Sequence, residues 1–159
     1  MGRIELGIFL LCAFFLANKT VAAVIGFDDL DASGGDISLD TLNPYQGLTW
    51  TNFSVYTQTP GFDGFNNGIV SGPNGAYSGG ELFGNDVSPV FGTVTSGDLF
   101  DLQSLYLGAG YYDNLLVTIE GRRAGTLISS TTLNVNTAGA IFSDLNFLAV
   151  DELSFFAAT

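Results

Sequence analysis

The sequence has 159 residues and a formal net charge of −12, with 4 basic side chains against 16 acidic ones and no histidine. Without histidine, the chain has no imidazole base, no Ser-His or Cys-His pair and no His-ligated zinc or haem. The acidic charge argues against nucleic acids and membrane surfaces as partners, because anionic partners are bound by clustered lysine and arginine.

Residues 1–23 are predicted to form a secretory signal peptide. Arg3 precedes an uninterrupted apolar run, IFLLCAFFLA, and the small residues VAA follow at 21–23. An apolar run this short cannot span a bilayer as a helix, which argues against the alternative of a membrane anchor. We therefore expect a secreted, extracellular protein with a single domain at residues 24–159.

Loss of the leader would also remove Cys12, the one cysteine of the sequence. The predicted domain therefore contains no disulfide, although many secreted domains depend on them. A domain of this size buries roughly two thirds of the surface of its unfolded chain, so it can fold on its apolar core alone.

The region after the leader shows the pattern of an all-β protein. Short β-branched and aromatic runs alternate with Gly, Asn, Asp, Ser and Pro clusters. The predicted strands are 24–28, 48–57, 90–95, 99–107, 115–120, 126–135, 144–148 and 152–156, with a hairpin turn at 122–125. Apolar and polar residues alternate in several of them, which indicates one buried face and one solvated face. We predict an antiparallel β-sandwich, most specifically a jelly roll.

The stretch 58–89 interrupts this pattern with many glycines. Loop-rich segments of this length inside a compact domain are usually functional or poorly ordered. We expect short strands at 69–70 and 76–77, and only turns at 63–68.

Several short segments carry a resemblance that extends over most of the predicted domain. They are VIGFDDL at 24–30, PYQGLTWTNF at 44–53, NGIVSGPN at 67–74, FDLQSLYL at 100–107, VTIEG at 117–121 and VDELSF at 150–155. Together they resemble secreted jelly-roll domains of undefined function, found in PEP-CTERM-type bacterial surface proteins and in microbial secretomes. Those domains are similar in outline to galactose-binding-like carbohydrate modules. The resemblance implies a jelly-roll fold and contact with glycans, and it implies no reaction.

One candidate calcium site lies early in the domain. Asp29, Asp31, Ser33 and Asp40 have the spacing of oxygen ligands in a calcium loop, with Gly34 at the turn position. The predicted elements do not include the flanking helices of an EF-hand. The alternative is a solvated acidic turn, as expected in so acidic a chain.

A second candidate calcium site follows from the resemblance. In jelly-roll carbohydrate modules the first and last strands often meet at a structural calcium, which implies a site near Asp28, Asp29, Asp151 and Glu152. Two acidic pairs in contact would repel each other unless a cation lay between them or their pKa values rose. The alternative is that the two pairs never meet.

An aromatic sugar-binding face is predicted on the strand at 48–57. Strict alternation places Trp50 and Tyr56 on the face opposite Phe53 and Val55. If Phe53 and Val55 are buried, Trp50 and Tyr56 point to the surface, where such rings can stack on sugars. The residues that would extend this platform are Tyr45, Tyr77, Tyr111 and Tyr112. The alternative is that Trp50 belongs to the core, because large aromatic side chains are usually well buried.

The same strand contains an N-glycosylation sequon, Asn52-Phe53-Ser54. A glycan on Asn52 would cover the face that carries Trp50 and Tyr56. The glycosylation hypothesis and the sugar-stacking hypothesis therefore compete.

We predict a secreted, non-catalytic protein that associates with a glycan or cell-wall polysaccharide, with calcium bracing the fold. One alternative is an effector-like protein that binds a protein target. Another is a glycoside hydrolase, because a carboxylate pair can act without His or Cys. Glu81, Glu120 and Glu152 are the only glutamates after the leader, and none has a recognisable catalytic setting.

Overall fold

The computed structural model describes residues 22–78 and 90–158, so the predicted leader lies outside the described residues except for Ala22 and Ala23. The described chain is mostly antiparallel β-sheet, as predicted, and it also contains one short α-helix that was not predicted. Its elements are β1 (Ile37–Ser38), β2 (Thr49–Thr51), β3 (Phe53–Thr57), α1 (Asp63–Gly68), β4 (Asn74–Ser78), β5 (Val90–Leu107), β6 (Leu115–Arg123), β7 (Thr126–Val135) and β8 (Ile141–Ala158). No helix among these residues is long and apolar enough to cross a membrane.

The strands form two antiparallel sheets that share one core. The smaller sheet has the order β1-β3-β4, and the larger has the order β2-β5-β8-β6-β7. Val55 of the smaller sheet and Val94, Ile119 and Val150 of the larger one are buried in a single apolar cluster. The architecture is therefore sandwich-like, as the alternating patterns indicated.

The two sheets approach closely at Gly92 of β5. A Cβ atom at Gly92 would lie 2.6 Å from the ring of Phe53, which belongs to the opposite sheet. Beside this point the rings of Phe53 and Phe155 meet edge to face, with centroids 5.6 Å apart. The absence of a side chain at Gly92 thus allows aromatic packing between the layers.

Two long bent strands replace four of the predicted short ones. Segments 90–95 and 99–107 are both parts of β5, and segments 144–148 and 152–156 are both parts of β8. The register between β5 and β8 shifts repeatedly, and Asn146 and Ala149 have positive φ values of 53° and 52°. The amide of Ala149 donates to Asp101 Oδ1 at 2.7 Å, and its carbonyl accepts from Arg123 Nε. The predicted breaks are therefore bulges inside continuous strands.

The prediction of a single strand at 48–57 is wrong, because these residues form two strands, β2 and β3, in different sheets. β2 pairs with β5, whereas β3 pairs with β1 and β4. Asn52 lies between β2 and β3 with φ 62°, and its amide donates to both carboxylate oxygens of Asp40 at 3.0 Å. This left-handed residue breaks the two-residue alternation, so Trp50 and Phe53 both point into the core.

The segment 24–28 is not a strand, contrary to prediction. It runs as irregular backbone beside the smaller sheet, where buried Asn74 donates through Nδ2 to the carbonyls of Phe27 at 2.8 Å and Leu30 at 2.7 Å. An amide side chain thus supplies hydrogen bonds that a neighbouring strand would otherwise provide.

Three shorter predictions have mixed outcomes. The strand at 76–77 is confirmed within β4, but 69–70 is not a strand and 63–68 is the helix α1 rather than a run of turns. The hairpin is confirmed, because Ala124 and Gly125 join β6 to β7 with φ values of 47° and 75°. Two consecutive positive φ values are typical of the type I′ turns that match strand twist.

Candidate functional site

A cleft of about 850 Å³ lies between the two sheets and is lined mainly by apolar and aromatic side chains. This volume is within the range of small-molecule binding sites. Its walls come from β3 and β4 on one side, from β5, β6 and β8 on the other, and from α1. The aromatic lining residues are Phe53, Tyr56, Phe62, Phe65, Tyr77, Tyr106, Tyr111, Tyr112 and Phe155.

Phe65 of α1 is the centre of the aromatic cluster. Its ring centroid lies 5.3 Å from that of Tyr56, 5.6 Å from that of Tyr77 and 5.1 Å from that of Tyr111, all edge to face. These spacings are those of favourable aromatic pairs. Phe65 therefore connects the smaller sheet to the loop that follows β5.

Two glycines allow α1 to lie against that loop. A Cβ atom at Gly64 would be 2.2 Å from the carbonyl oxygen of Gly110, and one at Gly110 would be 2.4 Å from the ring of Phe65. Both distances are too short for any side chain. The position of Phe65 thus depends on backbone-to-backbone contact that only glycine permits.

The outer part of the cleft, which we call the aromatic mouth, consists of Phe62, Tyr106, Tyr111 and Tyr112. Each of these side chains is between 45% and 55% exposed. They line the same cleft as Tyr56, which is buried. Half-exposed aromatic rings around a cleft are suited to contact with a ligand.

The hydroxyl groups of the inner tyrosines are already hydrogen-bonded. Tyr56 donates to the carbonyl of Phe65 at 2.7 Å, and burial raises the pKa of Tyr56 to about 12. Tyr77 donates to Asp36 Oδ2 at 2.8 Å, and its pKa is raised first by burial and then by this carboxylate. Both phenols are therefore neutral at ordinary pH and hold the cleft walls together.

The cleft carries little charge and one unsatisfied hydroxyl. Among the described lining residues, Asp36 is the only charged one. The Oγ atom of Ser78 is buried at the cleft wall and has no hydrogen-bond partner in the described part of the chain. Such a hydroxyl can donate a hydrogen bond to a ligand atom or accept one from it.

Of the predicted sugar-binding residues, Tyr56 and Tyr77 line the cleft, whereas Trp50 and Tyr45 lie in the core. Trp50 is 8% exposed, and its Nε1 donates to the carbonyl of Tyr45 at 3.0 Å. Its ring meets Phe53 edge to face at 5.3 Å. The prediction of a surface-directed Trp50 is wrong, and the alternative of a core tryptophan is confirmed.

Tyr45 is buried beside Trp50 and anchors the irregular segment that precedes β1. Its hydroxyl lies 2.5 Å from Asp29 Oδ1 and 2.8 Å from the carbonyl oxygen of Gly26. Burial, together with the nearby carboxylate of Asp29, raises the pKa of Tyr45 to about 12. This residue supports the fold and is not among those that line the cleft.

The acids of the predicted calcium loop are used separately. Asp31 accepts from the hydroxyl of Ser33 at 2.6 Å and from its amide at 3.2 Å, and these bonds lower the pKa of Asp31. Asp29 contacts Tyr45, and Asp40 holds the amide of Asn52. Asp31 therefore stabilises a local turn, whereas Asp29 and Asp40 bind groups more distant in the sequence.

The second set of predicted calcium ligands also has separate partners. Asp28 lies near the amide of Asn74 at 3.4 Å, Asp151 accepts from the amide of Ala124 at 2.8 Å, and Glu152 accepts from the hydroxyl of Ser154 at 2.9 Å. The described residues contain no group of three or more Asp, Glu, His or Cys side chains that could hold a metal ion. The two acidic pairs are therefore not gathered into such a group.

The predicted glycosylation residue, Asn52, is exposed at the turn between β2 and β3. It is not among the residues that line the cleft. Because Trp50 is in the core, a glycan on Asn52 would not cover a platform formed by that ring. The two hypotheses no longer compete in the way that the sequence predicted.

Four residues that line the cleft are not among the predicted site residues: Phe62, Phe65, Tyr106 and Asp36. Phe62 and Phe65 have the three-residue spacing of one helical face, but α1 is short and rich in glycine and asparagine. That composition favours turns and hides the helix. Tyr106 and Asp36 come from distant strands and loops, so only the folded chain brings them together.

Comparisons of the chain with protein families, curated proteins and solved structures find no match. The resemblance to secreted jelly-roll domains therefore stays a prediction.

Proposed function

We propose that the protein is a non-catalytic binding protein that takes a neutral saccharide at the aromatic mouth of the cleft. The observation that carries this proposal is the set of half-exposed rings, Phe62, Tyr106, Tyr111 and Tyr112, around one cleft. The apolar face of a sugar ring can stack on such side chains, while its hydroxyls remain in contact with water. The site replaces the predicted platform around Trp50.

The charge of the protein favours an uncharged glycan. The chain carries a net charge of −12, and the single charged residue among the described lining residues is the acidic Asp36. An acidic polysaccharide would be repelled over a long range at low salt. We therefore propose a neutral glycan or cell-wall polysaccharide as the partner.

A glycan array followed by calorimetric titration tests this function. Tyr111→Ala and Tyr112→Ala should each weaken binding of a neutral glycan about fivefold or more, because an aromatic contact contributes roughly 1 kcal/mol. Leu127→Ala is the control, since Leu127 is 47% exposed on β7 and does not line the cleft. Equal affinity for all variants, or no glycan bound at all, would contradict the proposal.

Binding of a protein target is the second candidate, and the edge of β7 favours it. Among the described strands, β7 pairs only with β6, and the sequence from Ala124 to Ser143 contains no charged residue. A long uncharged edge can accept a strand from another protein. Ser130→Glu on β7 should then abolish binding of the target, whereas Tyr111→Ala should not.

The glycoside hydrolase alternative has weaker support. Hydrolysis of this kind needs two carboxyl groups on either side of the bond, and the described lining of the cleft supplies Asp36 alone. Glu120 is paired with Arg122, and Glu152 accepts from Ser154. Turnover of a polysaccharide that is lost in a single Glu→Gln variant would favour the enzyme.

We further propose that the protein is secreted and that its domain is a jelly roll braced by calcium. The eight antiparallel strands in two sheets, counted over residues 22–78 and 90–158, support the jelly-roll proposal, and the sequence of residues 1–23 supports export. Amino-terminal sequencing of the extracellular product should give Val24 as its first residue. A product that retains Arg3 would contradict the proposed cleavage.

A further inference from the structure

The inner walls of the cleft are apolar. Val117 and Ala109 are buried there, and Leu107, Leu115 and Phe155 are half-buried around them. A ligand that reaches these walls exchanges contact with water for contact with hydrocarbon. That exchange is favourable for an apolar group and unfavourable for a hydroxylated one.

The polar groups beside these walls are already paired with one another. The hydroxyl of Tyr56 is bound to the carbonyl of Phe65, and that of Tyr77 to Asp36. The side-chain amide of Asn66 both accepts from and donates to the backbone of Thr59, at 2.9 Å in each case. These polar groups of the cleft already have hydrogen-bond partners within the protein and do not require a ligand.

A saccharide inside the cleft would leave most of its hydroxyls without partners. The Oγ atom of Ser78 is the one buried side-chain oxygen or nitrogen in the described chain that lacks a hydrogen bond, and one hydroxyl can satisfy only a small part of a saccharide. Each further buried hydroxyl would lose its hydrogen bonds to water without replacement. A sugar therefore fits the aromatic mouth and does not fit the interior.

We infer that the cleft binds an uncharged amphiphile, in which a saccharide head at the aromatic mouth is joined to an apolar chain that fills the interior. The inference rests on the proposed binding of saccharide at the mouth and names the class of ligand for the whole cleft. The cleft, of about 850 Å³, extends inward beyond the aromatic mouth, and the lining there is mainly apolar. The acidic charge of the protein selects an uncharged head.

Calorimetric titration with hexyl, heptyl and octyl glucosides, each below its micelle concentration, tests the apolar part. Each added methylene should tighten binding about threefold to fourfold if it is buried between the sheets. Glucose and the matching 1-alkanols provide the head and the chain separately. An affinity that does not depend on chain length would overturn the inference.

The separate ligands distinguish failure of the inference from failure of the proposed function. If neutral oligosaccharides bind but chain length has no effect, the amphiphile is wrong and saccharide binding stands. If the alkanols bind as tightly as the glucosides, the head contributes nothing and both the amphiphile and saccharide binding at the mouth are wrong. If neither series binds, the amphiphile is likewise wrong.

Two variants locate the chain in the cleft. Ala157→Leu places a larger side chain on β8 at the apolar wall and should abolish the chain-length dependence. Val117→Thr keeps the volume of a buried wall residue and adds a hydroxyl, so it should weaken octyl glucoside more than hexyl glucoside. Ala138→Leu, on an exposed residue that does not line the cleft, is the matched control for Ala157→Leu. Unchanged dependence in both wall variants, with circular dichroism showing an intact fold, would place the chain elsewhere and overturn the inference.

Discussion

Replacement of Trp50 by alanine should destabilise the fold rather than remove a binding surface. The indole is 8% exposed and meets Phe27 and Phe53 edge to face, at 5.7 and 5.3 Å. Truncation of a buried tryptophan costs about 3–5 kcal/mol, and the carbonyl of Tyr45 would also lose one of its two donors and keep the amide of Leu48. For a domain of this size, a loss of about 4 kcal/mol lowers the Tm by roughly 10–20 °C.

The assay is favourable because the sequence contains one tryptophan. Fluorescence of the native wild-type protein should be blue-shifted and poorly quenched by acrylamide, and thermal unfolding should red-shift it. Circular dichroism then gives the Tm of Trp50→Ala, with Leu127→Ala as a surface control that should change stability by about 0.5 kcal/mol or less. Quenching in the native state equal to that in urea, or a Tm of Trp50→Ala within a few degrees of wild type, would refute a core position.

Three further outcomes follow from particular groups. The pKa values of Tyr45 and Tyr56 are raised from 10.0 to about 12 in the folded protein, mainly by burial, so the unfolded chain loses these protons first as the pH rises. The free energy of unfolding in urea should therefore be constant from neutral pH to about pH 10 and fall between pH 10 and about 12, less steeply in Tyr56→Phe. A flat profile above pH 10 would contradict the burial. Gly110→Ala should displace the ring of Phe65 and lower the free energy of unfolding by about 1–3 kcal/mol. Gly97→Ala is the control and should be neutral, because no atom lies within 4 Å of the added Cβ. Equal Tm values for the two variants would show that the loop rearranges to accommodate the methyl group. If calcium braces the fold, saturating calcium should raise the Tm relative to EDTA, and identical melting curves would remove the proposed calcium.

The predictions that succeeded depend on local chemistry. The β6–β7 hairpin follows from two alternating runs on either side of Ala124 and Gly125, because a tight turn with positive φ values joins such runs readily. The two-sided pattern of β6 likewise places Val117 and Ile119 on one buried face. In both cases the decisive contacts are within a few residues or with the adjacent strand.

The predictions that failed depend on single backbone residues. Asn52 takes a left-handed conformation, and at this one residue the chain passes from one sheet to the other, so that Trp50 is buried together with Phe53 and Val55. Ala149 does the opposite, because its positive φ is accommodated as a bulge and β8 continues through it. Alternation in the sequence does not distinguish a bulge from a strand end, since both are settled by the partners of the backbone groups.

The cleft could be predicted only in part. Strand alternation predicts Tyr56, and its aromatic ring predicts Tyr77, as ligand-binding residues, and the antiparallel pairing of β3 with β4 brings the two together. Phe65 reaches them through the contact between Gly64 and Gly110, which lie 46 positions apart in the sequence. No local pattern encodes that contact.

The place of β8 in the larger sheet has a consequence for the order of folding. Residues 141–158 lie between β5 and β6, and they pair with both. Until this segment has been synthesised, β5 and β6 have no strand between them to pair with. The core between the two sheets also lacks Phe147, Val150 and Leu153. The larger sheet therefore cannot form completely until its last described strand, β8, is present. We expect folding to be late, slow and strongly cooperative for this reason.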